Sequence, residues 1–184
     1  IDGAGEVTIV NGKDKGSYSA DKIMIATGSH ASSLPGITID EKRVVSSTGA
    51  LSLDKCPKKL LVIGAGYIGL ELGTVWARLG AEVEVIEFLP QILPGMDVEI
   101  AKKFLAIAKK QAVSFRLSTA VKAAKTSKTG VSLTVEPAAG GAAETVTDDI
   151  ALVSVGRHPV TDGLGLEADG ISLAERGRIA VDSR

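Results

Sequence analysis

Apolar and polar positions alternate through EVTIV and again through GSYSA, on either side of the turn NGKDKG. Two-residue alternation broken by asparagine and glycine predicts an antiparallel hairpin. KIMIA, Lys22 to Ala26, then runs almost wholly apolar and predicts a buried strand that completes a small meander. SLPGITIDEK carries Pro35 and Gly36 and reads as loop, while residues 42–58 read as a connector with one short helix.

A different period takes over at Lys59. KLLVI, Lys59 to Ile63, is a compact apolar strand that stops at a cluster of glycines. A helix is predicted from Tyr67 to Leu79, with Ile68, Leu72, Val75 and Leu79 at three- and four-residue spacing as one apolar stripe, the face such a helix turns to a core. Gly80 suits the left-handed residue that ends many helices. Glu82 to Glu87 predicts the next strand, and LPQILPGMD a loop. Val98 to Lys110 forms a second amphipathic helix with Ala101, Phe104, Leu105 and Ala108 inward and its lysine pairs solvated. VSFRL is then a third parallel strand.

From Val121 the pattern becomes that of three antiparallel strands, with turns near Thr129–Gly130 and Gly140–Gly141. IALVSVG, Ile150 to Gly156, is nearly continuously apolar, as a strand covered on both faces should be. Beyond Arg157 the chain reads as loop, including LGLE, with a closing strand at RIAVD. The alternation of strands and helices predicts an α/β fold: a Rossmann-like domain with a parallel sheet plus an antiparallel β-meander.

Composition narrows the classes of function. The 184 residues are 45% apolar and 23% charged, enough for one good core and parts of a second. A net charge of −1 gives no electrostatic reason for a nucleic acid or an anionic membrane as partner. No apolar run approaches the ~18 residues that would span a bilayer. The chain opens at Ile1 without a methionine and closes at Arg184, and it reads as a piece of a longer protein. One cysteine, Cys56, allows neither an internal disulfide nor a C-x-x-C pair. The two histidines, His30 and His158, lie in predicted loops without metal-ligand spacing, so no metal site is expected.

The chemistry sits in VIGAGYIGLELG. Gly64, Gly66 and Gly69 form G-x-G-x-x-G between an apolar strand and an amphipathic helix. In such a turn the first glycine permits the tight bend, the second lets a diphosphate approach the backbone, and the third lets helix and strand pack closely. The free amides and dipole of the helix start favour the anion. Glu87 stands 23 residues after Gly64, near the ~20 expected of a ribose-binding acid. A carboxylate there accepts from both ribose hydroxyls and repels a 2′-phosphate, and no arginine follows it, so NAD(H) is expected over NADP(H). The alternative is a solvent-facing glutamate at a strand end. Glu71, in the early turns of the helix, either serves the helix dipole or reaches toward a nicotinamide; spacing leaves both open.

VIGAGYIGLELGTVWARLGAEVEVIEF, with MIATGS and LVSVGRHP, resembles the FAD-dependent pyridine nucleotide-disulfide oxidoreductases across the whole chain. SSTGALSL, LTVEPAAGG and GLGLE are most similar to the dihydrolipoamide dehydrogenase family within that group, in its mitochondrial and α-proteobacterial branch. In this group an NAD domain is inserted into an FAD domain. The resemblance implies that residues 1–30 are the end of a first FAD-domain segment, 31–156 the NAD-binding domain, and 157–184 the return to the FAD domain. It implies NAD contacts at Gly64, Ala65, Gly66, Tyr67, Ile68, Gly69, Leu70 and Glu71, with Glu87 on the adenosine ribose, Val121 by the adenine and Gly156 near the nicotinamide. Thr27, Gly28, Ser29 and Arg157 would touch FAD. Tyr67 departs from the family's usual isoleucine or valine and resembles the glutathione reductase branch, and His158 replaces a frequent second arginine.

The family's C-x4-C redox pair, its first FAD-binding glycine motif, its late GD, its C-terminal His-Glu base and its dimer domain are all absent from this sequence. The resemblance therefore implies the NAD end of an enzyme that oxidises dihydrolipoamide through a disulfide and FAD to reduce NAD+, with no catalytic residue in this chain and no turnover by it alone. The whole protein would be a homodimer serving lipoyl domains of 2-oxo acid dehydrogenase complexes, in the mitochondrial matrix of a eukaryote or the cytoplasm of a bacterium. A glutathione-reductase-like NADH-dependent disulfide reductase is the second reading. A stand-alone nucleotide-binding module is the third, and the ATGS crossing argues against it.

Overall fold

The computed structural model describes residues 1–3 and 5–183. The chain runs β1 (Glu6–Ile9), β2 (Gly16–Ser19), β3 (Ser29–Ala31), β4 (Val44–Val45), α1 (Ser47–Leu51), β5 (Lys59–Ile63), α2 (Tyr67–Arg78), β6 (Glu82–Ile86), α3 (Val98–Lys109) and β7 (Val113–Arg116). It continues with β8 (Thr119–Thr126), β9 (Val131–Pro137), β10 (Glu144–Asp148), β11 (Ile150–Val153) and β12 (Arg157–Pro159), then two short 3₁₀ turns. Two compact units result, residues 31–156 and, separately, residues 1–30 with 157–184.

The 31–156 unit is a parallel five-stranded sheet in the order β4-β11-β5-β6-β7. Its strands β5 and β11 are apolar and buried on both faces, because both faces are covered. On one face Leu60, Val62, Val83, Val85, Val113 and Leu152 pack under α2 and α3, against Leu70, Trp76, Ala101 and Ala108. On the other, Leu61, Ile63, Ile86 and Val153 meet Val131, Leu133 and Val135 of the antiparallel sheet β10-β9-β8. Arg116 ties the two layers together, donating to Glu84 at 3.1 Å from Nε and to Glu144 from its guanidinium. β4 is only two residues long, too short for a period to register, yet Val44 and Val45 are fully buried.

Helix α2 has the predicted start and stop, with Gly80 at φ 109° just past its end, but it presents a different face to the sheet. The buried residues are Gly69, Leu70, Gly73 and Trp76, while Val75 and Leu79 of the predicted stripe are 48% and 61% exposed. The reason is close approach. A Cβ on Gly69 would lie 3.1 Å from Val62, and one on Gly73 would lie 3.5 Å from both Val62 and Val83. Glycine is what the sheet-facing side needs, and a hydrophobic pattern does not score it.

The other unit is sparser. β1 and β2 form the expected hairpin, Glu6 opposite Ser19 and Ile9 opposite Gly16. The predicted strand 22–26 does not form: Ile23 and Ile25 are half-buried, Met24 is 89% exposed, and no described strand pairs with this segment. RIAVD is likewise no strand but contributes one bridge, Leu173 to Ile179. Strand formation is non-local, and an apolar run without a neighbouring ladder gains nothing from extending. His30 and His158, assigned to loops by the sequence, instead lie on the paired strands β3 and β12 with their rings 6.0 Å apart.

Candidate dinucleotide-binding site

The glycine turn sits where the strand order reverses. β5 continues through α2 to β6 on one side, and its other neighbour is β11, which arrives only after the meander. In an open α/β sheet the crevice beyond the carboxyl ends of such strands is the usual ligand site. Each motif glycine occupies a distinct environment. Gly64 has φ 101°, and a Cβ there would lie 2.7 Å from the Ser154 carbonyl oxygen. A Cβ on Gly69 would lie 2.2 Å from the Gly64 carbonyl oxygen and 2.5 Å from Ser154 Oγ. Gly66 is the opposite case: its Cβ would meet no atom within 4 Å. The turn is thus packed shut behind Gly64 and Gly69 and open above Gly66.

Gly66 is the N-cap of α2 and supplies no capping side chain. The amides of Tyr67, Ile68 and Gly69, in the first turn, therefore have neither an intrahelical acceptor nor a capping side chain. Tyr67 is 66% exposed beside them. Leu70 turns inward and is buried. Ala65 is fully buried, and both of its backbone groups are engaged: its N–H donates to Glu87 Oε2 at 2.6 Å and its carbonyl accepts from the Leu93 amide at 2.9 Å.

Glu87 immediately follows β6 and is 8% exposed, which removes the solvent-facing alternative. Beyond its bond to Ala65, its Oε1 accepts the Leu89 amide at 2.8 Å. Carboxylate oxygens have about four lone-pair sites between them, so acceptor capacity remains for hydroxyls of a ligand. Glu71 is exposed and lies beyond the first turn of α2, which holds no acidic residue; the dipole reading loses its basis, since that effect fades within a turn. Val121 borders a β-bulge in β8 and packs partly against the meander-side core. Gly156 has φ 130° and accepts the Ser32 amide at 3.0 Å.

Two residues essential to this geometry carry no motif. Ser154, just past β11, donates its hydroxyl between the carbonyls of Ile63 at 2.9 Å and Gly64 at 3.1 Å. The Leu93 amide, from the loop after β6, holds the other side of the turn. Neither was legible as a site residue, because a serine in an apolar strand and a backbone amide in a loop leave no pattern.

In the second unit the four residues expected at FAD bond to one another and to Val160. Thr27 donates to the Val160 carbonyl, Gly28 accepts the Val160 amide at 3.0 Å, and Arg157 donates from Nε to Ser29 Oγ at 2.8 Å. Among the described residues no three His, Cys, Asp or Glu side chains cluster as metal ligands, and no helix is long and apolar enough to cross a membrane.

A parallel sheet with a glycine turn at its reversal point, a helix on that turn and an acid on the next strand define a Rossmann-type α/β protein. The chain belongs to the pyridine nucleotide-disulphide oxidoreductase family, whose model matches residues 1–184. It is 53% identical over 180 residues to the mitochondrial dihydrolipoyl dehydrogenase of Pisum sativum, covering 98% of this chain and 34% of that protein. It is equally similar, 53% over 180 residues covering 98% and 33%, to a leghemoglobin reductase of Glycine max. Among solved structures, the HOCl-induced flavoprotein disulfide reductase RclA from Escherichia coli superposes with a TM-score of 0.85 at 28% identity, over 99% of this chain and 40% of that one. The chain spans about a third of the length of the curated relatives it matches.

Proposed function

We propose that residues 31–156 bind NAD(H) and that the chain is the nucleotide end of a dihydrolipoyl dehydrogenase. The observation that carries this reading is the combination at one turn: open space above Gly66, unpartnered amides at the start of α2, and the buried carboxylate of Glu87 beside them. Tyr67, Ile68 and Gly69 would donate to the diphosphate through their amides. Glu87 would accept from the adenosine ribose, and its charge disfavours the 2′-phosphate of NADP(H). Val121 would flank the adenine; Glu71 and Gly156 would lie toward the nicotinamide, which supplies the hydride acceptor of the reaction. Segments 1–30 and 157–184 would belong to an FAD domain, with Thr27, Gly28, Ser29 and Arg157 facing that cofactor.

In the whole protein, electrons would pass from dihydrolipoamide through a disulfide and FAD to NAD+. Lipoyl domains would be its partners and a homodimer its form, in the matrix of a eukaryote or the cytoplasm of a bacterium. The 184-residue chain has a single, exposed cysteine and so no dithiol chemistry of its own. The exposed ring of Tyr67 favours, as a second reading, a sibling NADH-dependent disulfide reductase of the glutathione reductase type.

Titrating the chain with NADH and NADPH tests the first claim. NADH is expected to bind at least about tenfold more tightly, corresponding to one lost charge-assisted interaction; equal affinity would remove Glu87 from the ribose. Lipoamide-dependent NADH formation by this chain alone is expected to be nil.

A further inference from the structure

Three contacts converge on Ser154 at the end of β11. Its amide donates to the Ile63 carbonyl at 2.9 Å, continuing the parallel ladder one residue beyond the strand. Its hydroxyl donates between the Ile63 and Gly64 carbonyls, at 2.9 and 3.1 Å. Its carbonyl and hydroxyl oxygens are also the atoms that a Cβ on Gly64 or on Gly69 would strike, at 2.7 and 2.5 Å. A residue some 90 positions away in sequence therefore forms the wall against which two of the three motif glycines are pressed. Its hydroxyl supplies the Gly64 carbonyl with a partner at the sharpest point of the turn.

We propose that Ser154 is a positioning residue for the diphosphate turn. Fixing the Gly64 carbonyl fixes the peptide that leads into Ala65. Ala65 is then clamped by the Glu87 carboxylate on its N–H and the Leu93 amide on its carbonyl. The donors that follow, at Tyr67, Ile68 and Gly69, are thereby aimed before any ligand arrives, and binding does not have to order them. Preorganisation of this kind raises affinity without a direct contact to the ligand. Ser154 stands behind the turn, so its effect falls on the diphosphate and not on the nucleoside. The inference rests on the nucleotide reading of this site, and its test separates the two.

The 184-residue chain with Ser154→Ala and with Ser154→Thr is titrated by amide chemical shifts with ADP-ribose, which carries the diphosphate, and with adenosine, which does not. Amide exchange of the unliganded proteins is followed at Ala65 and Leu93, with Val85 in β6 as the control for global opening. Losing one hydrogen bond to the turn is expected to weaken ADP-ribose about three- to tenfold in the alanine variant. Adenosine is expected to be unaffected, and the threonine variant, which keeps a hydroxyl, to recover ADP-ribose. Exchange at Ala65 and Leu93 should quicken while Val85 is unchanged. Unaltered ADP-ribose affinity with unaltered exchange at Ala65 and Leu93 would overturn the proposal. So would parallel weakening of both ligands with faster exchange at Val85, which marks a merely structural role. Should the unsubstituted chain bind neither ligand, the nucleotide reading fails. The exchange data then decide by themselves whether Ser154 holds the turn.

Discussion

The three glycines of one motif bear unequal loads, and substitution separates them. A methyl on Gly69 would be driven into the Gly64 carbonyl oxygen at 2.2 Å, a backbone atom that has no rotamer by which to yield. Gly69→Ala is expected to destabilise by roughly 1–3 kcal/mol, the range of overpacking in well-packed structure. Gly66 has φ −73° and open space where the methyl would go. Gly66→Ala should melt like the unsubstituted chain and yet lose most of its NADH affinity, because the methyl would stand in the space proposed for the diphosphate. Thermal melts and NADH titrations of both variants check this, and similar melts would refute the division of labour. Two carboxylates give a pH signature of opposite signs. At Asp40, burial pushes the carboxyl up, but the amides of Lys42, Val44 and Arg43 together outweigh it and hold it below 3.8. Its stabilisation is present above 3.8 and is lost as pH falls through the lowered folded value. At Asp148, burial first, then Glu84, Asp149 and Glu82, outweigh Lys59 and raise the carboxyl above 3.8. Its ionised form therefore costs stability above the raised value, and that cost disappears as pH falls toward 3.8. In melts at pH 7, Asp40→Asn should lower the midpoint and Asp148→Asn raise it, with both differences shrinking in acid.

Helix α2 shows what a hydrophobic period can and cannot reveal. Its ends were legible, since a glycine turn and Gly80 are local signals, and the parallel strands β5 and β11 were legible because burial on two faces leaves continuous apolar runs. The face it buries was not, because the sheet-facing side is built from Gly69 and Gly73, which hydrophobic scoring ignores. The stripe of Ile68, Leu72, Val75 and Leu79 runs from half-buried to exposed instead. Leu79→Lys should then change stability by less than about 0.5 kcal/mol, whereas Trp76→Ala should cost about 3–5 kcal/mol. Chemical denaturation of the two variants checks the orientation; a cost at Leu79 comparable to that at Trp76 would restore the predicted stripe. The same limit explains the site. Gly64, Gly66, Gly69 and Glu87 could be read because turn and strand end are close in sequence, whereas Ser154 reaches the turn only through the pairing of β11 with β5. Strands that fail to form at 22–26 and at RIAVD are the converse error: the local pattern is strand-like, but no described strand offers either segment the ladder that makes a strand.

Across the whole chain, buried apolar surface is distributed very unevenly. The 31–156 unit has covered sheet faces and two clusters of buried side chains. In the unit formed by 1–30 and 157–184, Leu166 is the only buried apolar residue among those described. Met24 and Val181 are 89% and 87% exposed, as befits segments with nothing packed on them. A hairpin and a pair of three-residue strands without a core are marginal in water. The two units should accordingly differ in native-state amide exchange, since protection follows buried contacts and local opening costs little where these are few. Amides of β5, β6 and β11 are expected to exchange only with global unfolding, and those of β1, β2 and residues 22–28 to exchange orders of magnitude faster in the same sample. The chain covers a third of relatives of its own family. If the sparse unit is part of an FAD domain, adding the rest of such a protein should slow exchange in 1–30 and 157–183 and leave β5, β6 and β11 nearly as they were. Uniformly slow exchange in the isolated chain would show that the sparse unit is stable as it stands, and the reading of it as an incomplete domain would fall.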